Sequence, residues 1–117
     1  MHNDLIEFAK KQLGLFDARM RFTKQNLETY QRLADKRRSE ILEEKKQQML
    51  SDGYDSQQIE AALDQLKNNV SEDRKINDYM DAVRMYQDEL TELEKEKQIH
   101  KLFLELIEEN PAATQNY

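Results

Sequence analysis

Histidine and cysteine, two residue types that bind metals and transfer protons, are sparse in this chain. It has two histidines, His2 and His100, and no cysteine. Glu96 precedes His100 by four residues, whereas di-iron helical bundles use Glu-x-x-His, and use it twice. The absence of cysteine rules out disulfides, thiolate zinc sites and cysteine nucleophiles. The sequence therefore predicts no metal site and no cofactor.

Acidic side chains are the other candidates for chemistry. They cluster at two places, with Asp78 and Asp81 in the first and Asp88, Glu89 and Glu92 in the second. Acid–base catalysis needs two carboxyl groups in a pocket that separates their pKa values, and a charged helical face is the simpler interpretation. Phosphate-binding, dinucleotide-binding, nucleophile-elbow and EF-hand motifs are also missing. We expect a protein that is not an enzyme.

The elements that carry these residues are predicted to be long amphipathic helices. Of 117 residues, 38% are apolar and 36% charged, with two Gly and one Pro. This is too polar for a thick core, and too poor in Gly and Pro for a disordered chain. We find no apolar run of membrane-spanning length and no secretory signal pattern. We expect a cytoplasmic protein, or a particle component made in the cytoplasm, with no membrane partner.

The first helix is predicted over about residues 4–50. Its apolar side chains recur in alternating steps of three and four, like the a and d positions of a coiled coil. The seam consists of Ile6, Ala9, Leu13, Phe16, Met20, Thr23, Leu27, Tyr30 and Ala34, and Leu5, Phe8, Phe22 and Leu33 widen it. The width predicts contact with more than one neighbour.

A turn is predicted at Ser51–Tyr54. Gly53 can adopt the left-handed conformation that commonly follows a helix C-terminus. Asp55, followed three residues later by Gln58, predicts a capping box at the start of a new helix. Because the connection is short, we expect the two arms to run antiparallel.

The second arm is predicted to contain a break. Helices are expected over about residues 56–69 and 72–109, because two asparagines and then Ser71, a favourable N-cap, interrupt the apolar pattern. A hairpin that turns at Gly53 places Ala34 near Ser71. The polar stretch that follows Ala34 therefore faces the break.

The seam resumes after the break and continues nearly to the C-terminus. It consists of Ile76, Met80, Val83, Tyr86, Leu90, Leu93, Lys97, His100, Leu104 and Ile107, with Tyr79, Leu102, Phe103 and Leu106 beside it. Pro111 cannot continue a helix, so residues 110–117 are predicted to be a flexible tail. The predicted fold class is all-α, a long antiparallel helical hairpin that forms one domain over residues 1–109.

The apolar residues beside the seam predict a homo-oligomer. A hairpin of this length that buries one seam leaves a large apolar patch in water. The predicted oligomer seam consists of Phe8, Phe22, Leu33, Tyr79, Leu102 and Phe103. We expect a dimer or a larger helical bundle.

Charge is divided unequally between the arms. Residues 1–50 contain eleven Lys and Arg against eight Asp and Glu, a net charge of +3. Residues 51–117 contain seven against sixteen, a net charge of −9. Packing of the arms on each other is the favoured interpretation, and an acidic partner for the basic arm is the alternative. The basic stretch lacks interleaved aromatic residues, so we expect no nucleic acid partner.

The candidate partner-binding or hinge residues are Arg37, Arg38, Ser71 and Glu72. They lie where the polar stretch of the first arm faces the break in the second. Two interpretations remain open. The arginines pair across the hairpin with Asp64 or Glu72 and serve the fold, or they contact a partner protein.

One segment has three features in sequence: a long helix that ends at a glycine-containing turn, an acid-capped helix, and the helix INDYMDAVRMYQDEL. In these features Gln47–Leu93 resembles the YlbF, YmcA and YheA family of small helical proteins from Gram-positive bacteria. The resemblance implies an elongated, usually oligomeric protein, with regulatory roles for some members in competence, biofilm and RNA-processing control. Some members carry C-terminal cysteines, and this chain has none, so a cluster-binding role is not carried over.

The predicted function is a non-enzymatic helical protein–protein interaction module. Such a chain acts as an adaptor or regulator in a bacterium or its phage, and its partners are itself and another protein. The alternative is a phage assembly or scaffold component, or a helper that escorts a secreted partner. A nucleic-acid binder is a third class, which predicts salt-sensitive retention on nucleic acid.

Overall fold

The computed structural model describes the backbone of residues 2–109, and the regular structure there is entirely helical. Helix α1 comprises His2–Ser51, α2 comprises Ser56–Asn69 and α3 comprises Arg74–Glu109. A short 3₁₀ turn, Val70–Glu72, separates α2 from α3. The predicted all-α fold with a break in the second arm is confirmed.

Helix α1 ends in a Schellman motif. The Tyr54 N–H donates to the Met49 carbonyl at 3.1 Å, and the Gly53 N–H donates to the Leu50 carbonyl at 3.2 Å. Gly53 has a φ of +83°, a conformation that glycine adopts without the strain of a side chain. The predicted turn is confirmed.

Helix α2 begins with the predicted capping box. Asp55 accepts a hydrogen bond from the Gln58 N–H at 2.9 Å, and the Asp55 N–H donates to the Gln58 side chain at 3.1 Å. Two N–H groups that the helix itself leaves without a partner are satisfied in this way.

Helix α3 is capped by Asp73, and the prediction that Ser71 is its N-cap was wrong. The Asn77 N–H donates to the Asp73 carbonyl at 3.0 Å, and the Ile76 N–H donates to the Asp73 carboxylate at 3.1 Å. Ser71 lies instead within the 3₁₀ turn. A carboxylate two residues later supplies the acceptor, so the helix starts after it.

Contacts divide the chain into two compact units. Unit 1 comprises Met1–Gln25 and Tyr86–Tyr117, and unit 2 comprises Asn26–Met85. Each unit therefore contains part of α1 and part of α3, and unit 2 also contains α2. The prediction of a single domain stays a prediction.

Unit 1 is an antiparallel pair of helices. The ring of Phe16 on α1 lies 4.9 Å from the ring of His100 on α3. Asp17, the next residue of α1, forms an ion pair with Lys97, which precedes His100 on α3. The two helices therefore run in opposite directions. The predicted seam is the buried core here, and its buried members are Ala9, Phe16, Thr23, Leu93, Leu104 and Ile107.

Unit 2 contains the second half of α1, all of α2 and the start of α3. The rings of Tyr30 and Tyr79 lie 6.3 Å apart, and Arg37 contacts Asp73. These two contacts show that α1 and α3 also run antiparallel here. The buried apolar residues of this unit are Ala34, Met49, Ile59, Val70, Ile76 and Val83.

The polar stretch of α1 faces the interrupted part of the second arm as predicted, because Arg37 contacts Asp73, but the predicted residue-by-residue pairing register was wrong. A register that sets Ala34 beside Ser71 places Arg37 beside Asn68, yet Arg37 contacts Asp73. That register was counted as for two continuous helices, whereas a turn and a 3₁₀ segment interrupt the returning chain. Only a continuous helix advances by a constant rise of about 1.5 Å per residue.

Candidate functional site

Helix α1 has an exposed apolar row in unit 1 beside its buried one. Phe8, Leu15 and Phe22 are spaced by seven residues and are exposed. Seven residues are close to two helical turns, so the three side chains lie along one line of the helix. The buried row contains Phe16, one residue after Leu15. Helix α1 is therefore apolar in two directions in unit 1.

Helix α3 also has a second apolar row in unit 1. The row has spacings of three, four and seven residues, the pattern of one helical face, and consists of Ile99, Leu102, Phe103 and Leu106. Its members are exposed, whereas Leu104 and Ile107 are buried on the core side. A helix with one packed and one exposed apolar row has a surface suited to a second neighbour.

The exposed rows of α1 and α3 lie on the same side of unit 1. On α1, Leu15 directly precedes buried Phe16, and on α3, Phe103 directly precedes buried Leu104. Successive residues of a helix lie about 100° apart around its axis. On both helices, the exposed row is therefore rotated from the buried row in the same sense when each helix is viewed from its N-terminus to its C-terminus. The two helices run in opposite directions, so the same rotation about each helix axis places both exposed rows on one side of the pair.

The contacts of unit 1 agree with this geometry. Phe22 of the α1 row and Glu89 of α3 border one shallow depression. Asp17 follows buried Phe16 instead of preceding it, so its ion pair with Lys97 lies on the opposite side. Unit 1 thus has an apolar side, and the Asp17–Lys97 ion pair lies opposite it.

We call the apolar side the apolar face of unit 1. It consists of Phe8, Leu15, Phe22, Ile99, Leu102, Phe103 and Leu106, which are 48–66% exposed. At about 100 Å² of exposed area for each side chain, the face covers roughly 700 Å². The largest apolar patch of a typical monomer is about 300–600 Å², and larger patches mark interaction sites.

Four residues of the predicted oligomer seam belong to this face: Phe8, Phe22, Leu102 and Phe103. The other two lie in unit 2. Leu33 borders a depression of about 130 Å³ there, and so does Tyr79, which is half-buried.

Sequence reasoning missed two members of the face, Leu15 and Ile99, and it placed Leu106 beside the seam without including it in the oligomer seam. The signal was present for each of them. Leu15 lies midway between Phe8 and Phe22 in an uninterrupted seven-residue repeat. Ile99 and Leu106 complete the helical spacing that the other two α3 residues begin.

The candidate hinge region contains a charged contact in unit 2. Arg37 Nη2 donates to Asp73 Oδ1 at 3.3 Å, and Arg37 Nε donates to Asp73 Oδ2 at 3.4 Å. The Arg37 guanidinium, and after it the Ile76 backbone N–H, hold the pKa of the Asp73 carboxyl below its usual value. The same hydrogen bond raises the pKa of Arg37. Both side chains are partly buried.

The sequence predicted the wrong carboxylate partner for this arginine. Asp64 is paired with Lys67 at 3.7 Å on its own helix. Glu72 is exposed on the 3₁₀ turn. Arg38 pairs with Asp35 at 2.9 Å within α1, so the two neighbouring arginines have different roles. Arg37 therefore contacts the start of the second arm, and whether it also contacts a partner stays a prediction.

The groups that could carry chemistry are dispersed. His100 packs on Phe16 in unit 1. No three His, Cys, Asp or Glu side chains within the part of the chain that the structure describes are grouped to hold a metal ion. None of the helices within residues 2–109 combines the length and the apolar character that crossing a lipid bilayer requires.

Comparison of the chain with models of known protein families gives no match. Comparison with curated proteins and with solved structures gives no match either. The resemblance of Gln47–Leu93 to the YlbF, YmcA and YheA family stays a prediction.

Proposed function

We propose that this chain is a non-enzymatic protein–protein interaction module and that the apolar face of unit 1 is its docking surface. One observation carries the proposal: seven large apolar side chains lie exposed in unit 1, beside a separate buried row on each of its two helices. Covering apolar surface of this size is favourable, and that gain opposes the loss of free motion and the ordering of side chains on association.

The composition of the face supports the same proposal. Phe8, Phe22 and Phe103 supply aromatic area of the kind that anchors protein interfaces. Charged side chains border the face, among them Arg19 and Glu89 beside Phe22. An apolar centre with a charged rim is the usual arrangement of a protein interface, where the rim sets orientation and association rate.

The biological role that we propose is that of an adaptor or regulator in a bacterium or its phage. A protein of this kind acts by holding a partner, and in unit 1 the apolar side is already formed in the single chain. Preorganisation lowers the entropic cost of binding. The role therefore depends on the face and needs no catalytic residue.

The experiment is affinity capture with matched variants. The face variant is Phe22→Ser with Leu102→Ser, and the control is Leu50→Ser with Met85→Ser, which lies in unit 2. Leu102 and Leu50 are matched, since they are 50% and 51% exposed. Each bait is mixed with a differently tagged copy of the chain and with lysate of the native host.

We expect the wild type and the control to retain the same protein, whether a second copy or a host protein, and the face variant to lose it. Circular dichroism establishes that both variants keep their helices. Equal retention by the face variant and the control would contradict the proposal, because binding would then not depend on the apolar face.

A further inference from the structure

We propose that the protein covering the apolar face of unit 1 is a second copy of this chain, bound so that α1 of each copy packs on α3 of the other. The inference rests on the proposed function and names its partner. The two copies are related by a twofold axis parallel to the helices. The result is a four-helix bundle made from the two copies of unit 1.

The size of the face fits a dimer. Two faces of roughly 700 Å² bury about 1,400 Å² together, within the range of about 1,200–2,000 Å² for stable interfaces. A twofold interface uses the same surface on both copies, so the face must be complementary to itself. Seven apolar side chains arranged in two parallel rows satisfy this requirement.

Charge decides which helix lies opposite which. The exposed row of α1 includes Lys11 and is bordered by Arg19, so it is basic between Phe8 and Phe22. At the level of Lys11 and Arg19, the exposed row of α3 is apolar and consists of Ile99, Leu102, Phe103 and Leu106.

Packing α1 on the partner's α1 would set the basic rows against each other. Packing α1 on the partner's α3 sets the basic row against an apolar one and keeps the like charges apart, and avoiding like charges across an interface favours that orientation. The second arrangement is therefore the one that the charges favour.

The pairing register of unit 1 fixes which residues meet. Phe16 lies beside His100 and Asp17 beside Lys97, so Leu15 is level with the segment around Ile99. A twofold axis parallel to the helices keeps these levels unchanged between the copies. Leu15 of one copy then faces Ile99 of the other.

Disulfide trapping tests this arrangement, because the natural chain has no cysteine. Leu15→Cys and Ile99→Cys proteins are prepared separately, mixed under reducing conditions and then oxidised. A disulfide needs Cβ atoms about 3.5–4.5 Å apart. We expect a linked species of twice the 14.0 kDa chain mass in the mixture, and little in either protein alone. A mixture of Leu50→Cys with Ile99→Cys is the matched control and stays unlinked.

Two results would overturn the inference. Efficient linking of Leu15→Cys alone would mean that α1 packs on the partner's α1. A wild-type chain that stays monomeric by light scattering at micromolar concentration would exclude a second copy. The proposed function is tested separately. It is supported if the monomer still captures a host protein through the face, and it is contradicted if capture does not depend on the face.

Discussion

The carboxylate of Asp73 joins the start of α3 to Arg37, 36 residues earlier in the chain. One oxygen accepts from Arg37 Nη2 at 3.3 Å, and the other accepts from the Ile76 N–H at 3.1 Å. The same side chain therefore caps a helix and fixes its register against α1. A local feature and a long-range contact are coupled in one residue.

Replacing Asp73 separates these two roles. Asp73→Asn keeps an oxygen that can cap the helix but removes the charge, and Asp73→Ala removes both. We expect the urea midpoint to fall in the order wild type, Asp73→Asn, Asp73→Ala. Asp35→Asn is the control, since Asp35 is exposed and its pair with Arg38 is within one helix, and it should change the midpoint little. Equal midpoints for wild type and Asp73→Ala would refute the capping role.

The lowered pKa of Asp73 predicts an acid-dependent loss of stability. A group whose pKa is lower in the folded chain stabilises fully above its unfolded pKa, about 3.9 for aspartate. That stability is lost as pH falls from there through the folded pKa, while Arg37 stays charged throughout. We expect the melting temperature of wild type to exceed that of Asp73→Asn at pH 7, and the difference to shrink below about pH 4. A difference that is constant with pH would show that the charge contributes nothing.

Much of the fold follows from local patterns in the sequence. The seam of α1 is predictable because a continuous helix turns by a fixed angle, so steps of three and four return to one side. Gly53 and the Asp55–Gln58 pair are predictable because capping depends on residues within one turn. The contact of Arg37 with Asp73 could not be predicted, since it depends on how many residues the interrupted second arm needs.

The candidate site was only partly predictable for a related reason. The sequence shows that flanking residues such as Phe22 and Leu102 are apolar and lie outside the seam. Their placement on a common side depends on the antiparallel packing of unit 1. Leu15 was missed because it directly precedes Phe16 of the main seam, so the seven-residue repeat that it forms with Phe8 and Phe22 was not recognised as a separate row.

The two glycines of the chain predict opposite effects when each is replaced by alanine. Gly53 has a φ of +83°, so Gly53→Ala should destabilise the chain by about 1–2 kcal/mol. Gly14 lies inside α1, and an added methyl group would meet nothing within 4 Å. Gly14→Ala should therefore stabilise the chain by about 1 kcal/mol. Urea denaturation measures both changes, and effects of the same sign would contradict this interpretation.

The central claim is that the apolar face of unit 1 holds two copies together, and the mass of the particle in solution tests it most directly. Light scattering at micromolar concentration is measured for the wild type, the Phe22→Ser, Leu102→Ser variant and the Leu50→Ser, Met85→Ser control. We predict twice the 14.0 kDa chain mass for the wild type and the control, and a single chain mass for the face variant with its helices intact. A wild type of 14.0 kDa, or a face variant with the same mass as the control, would contradict the account.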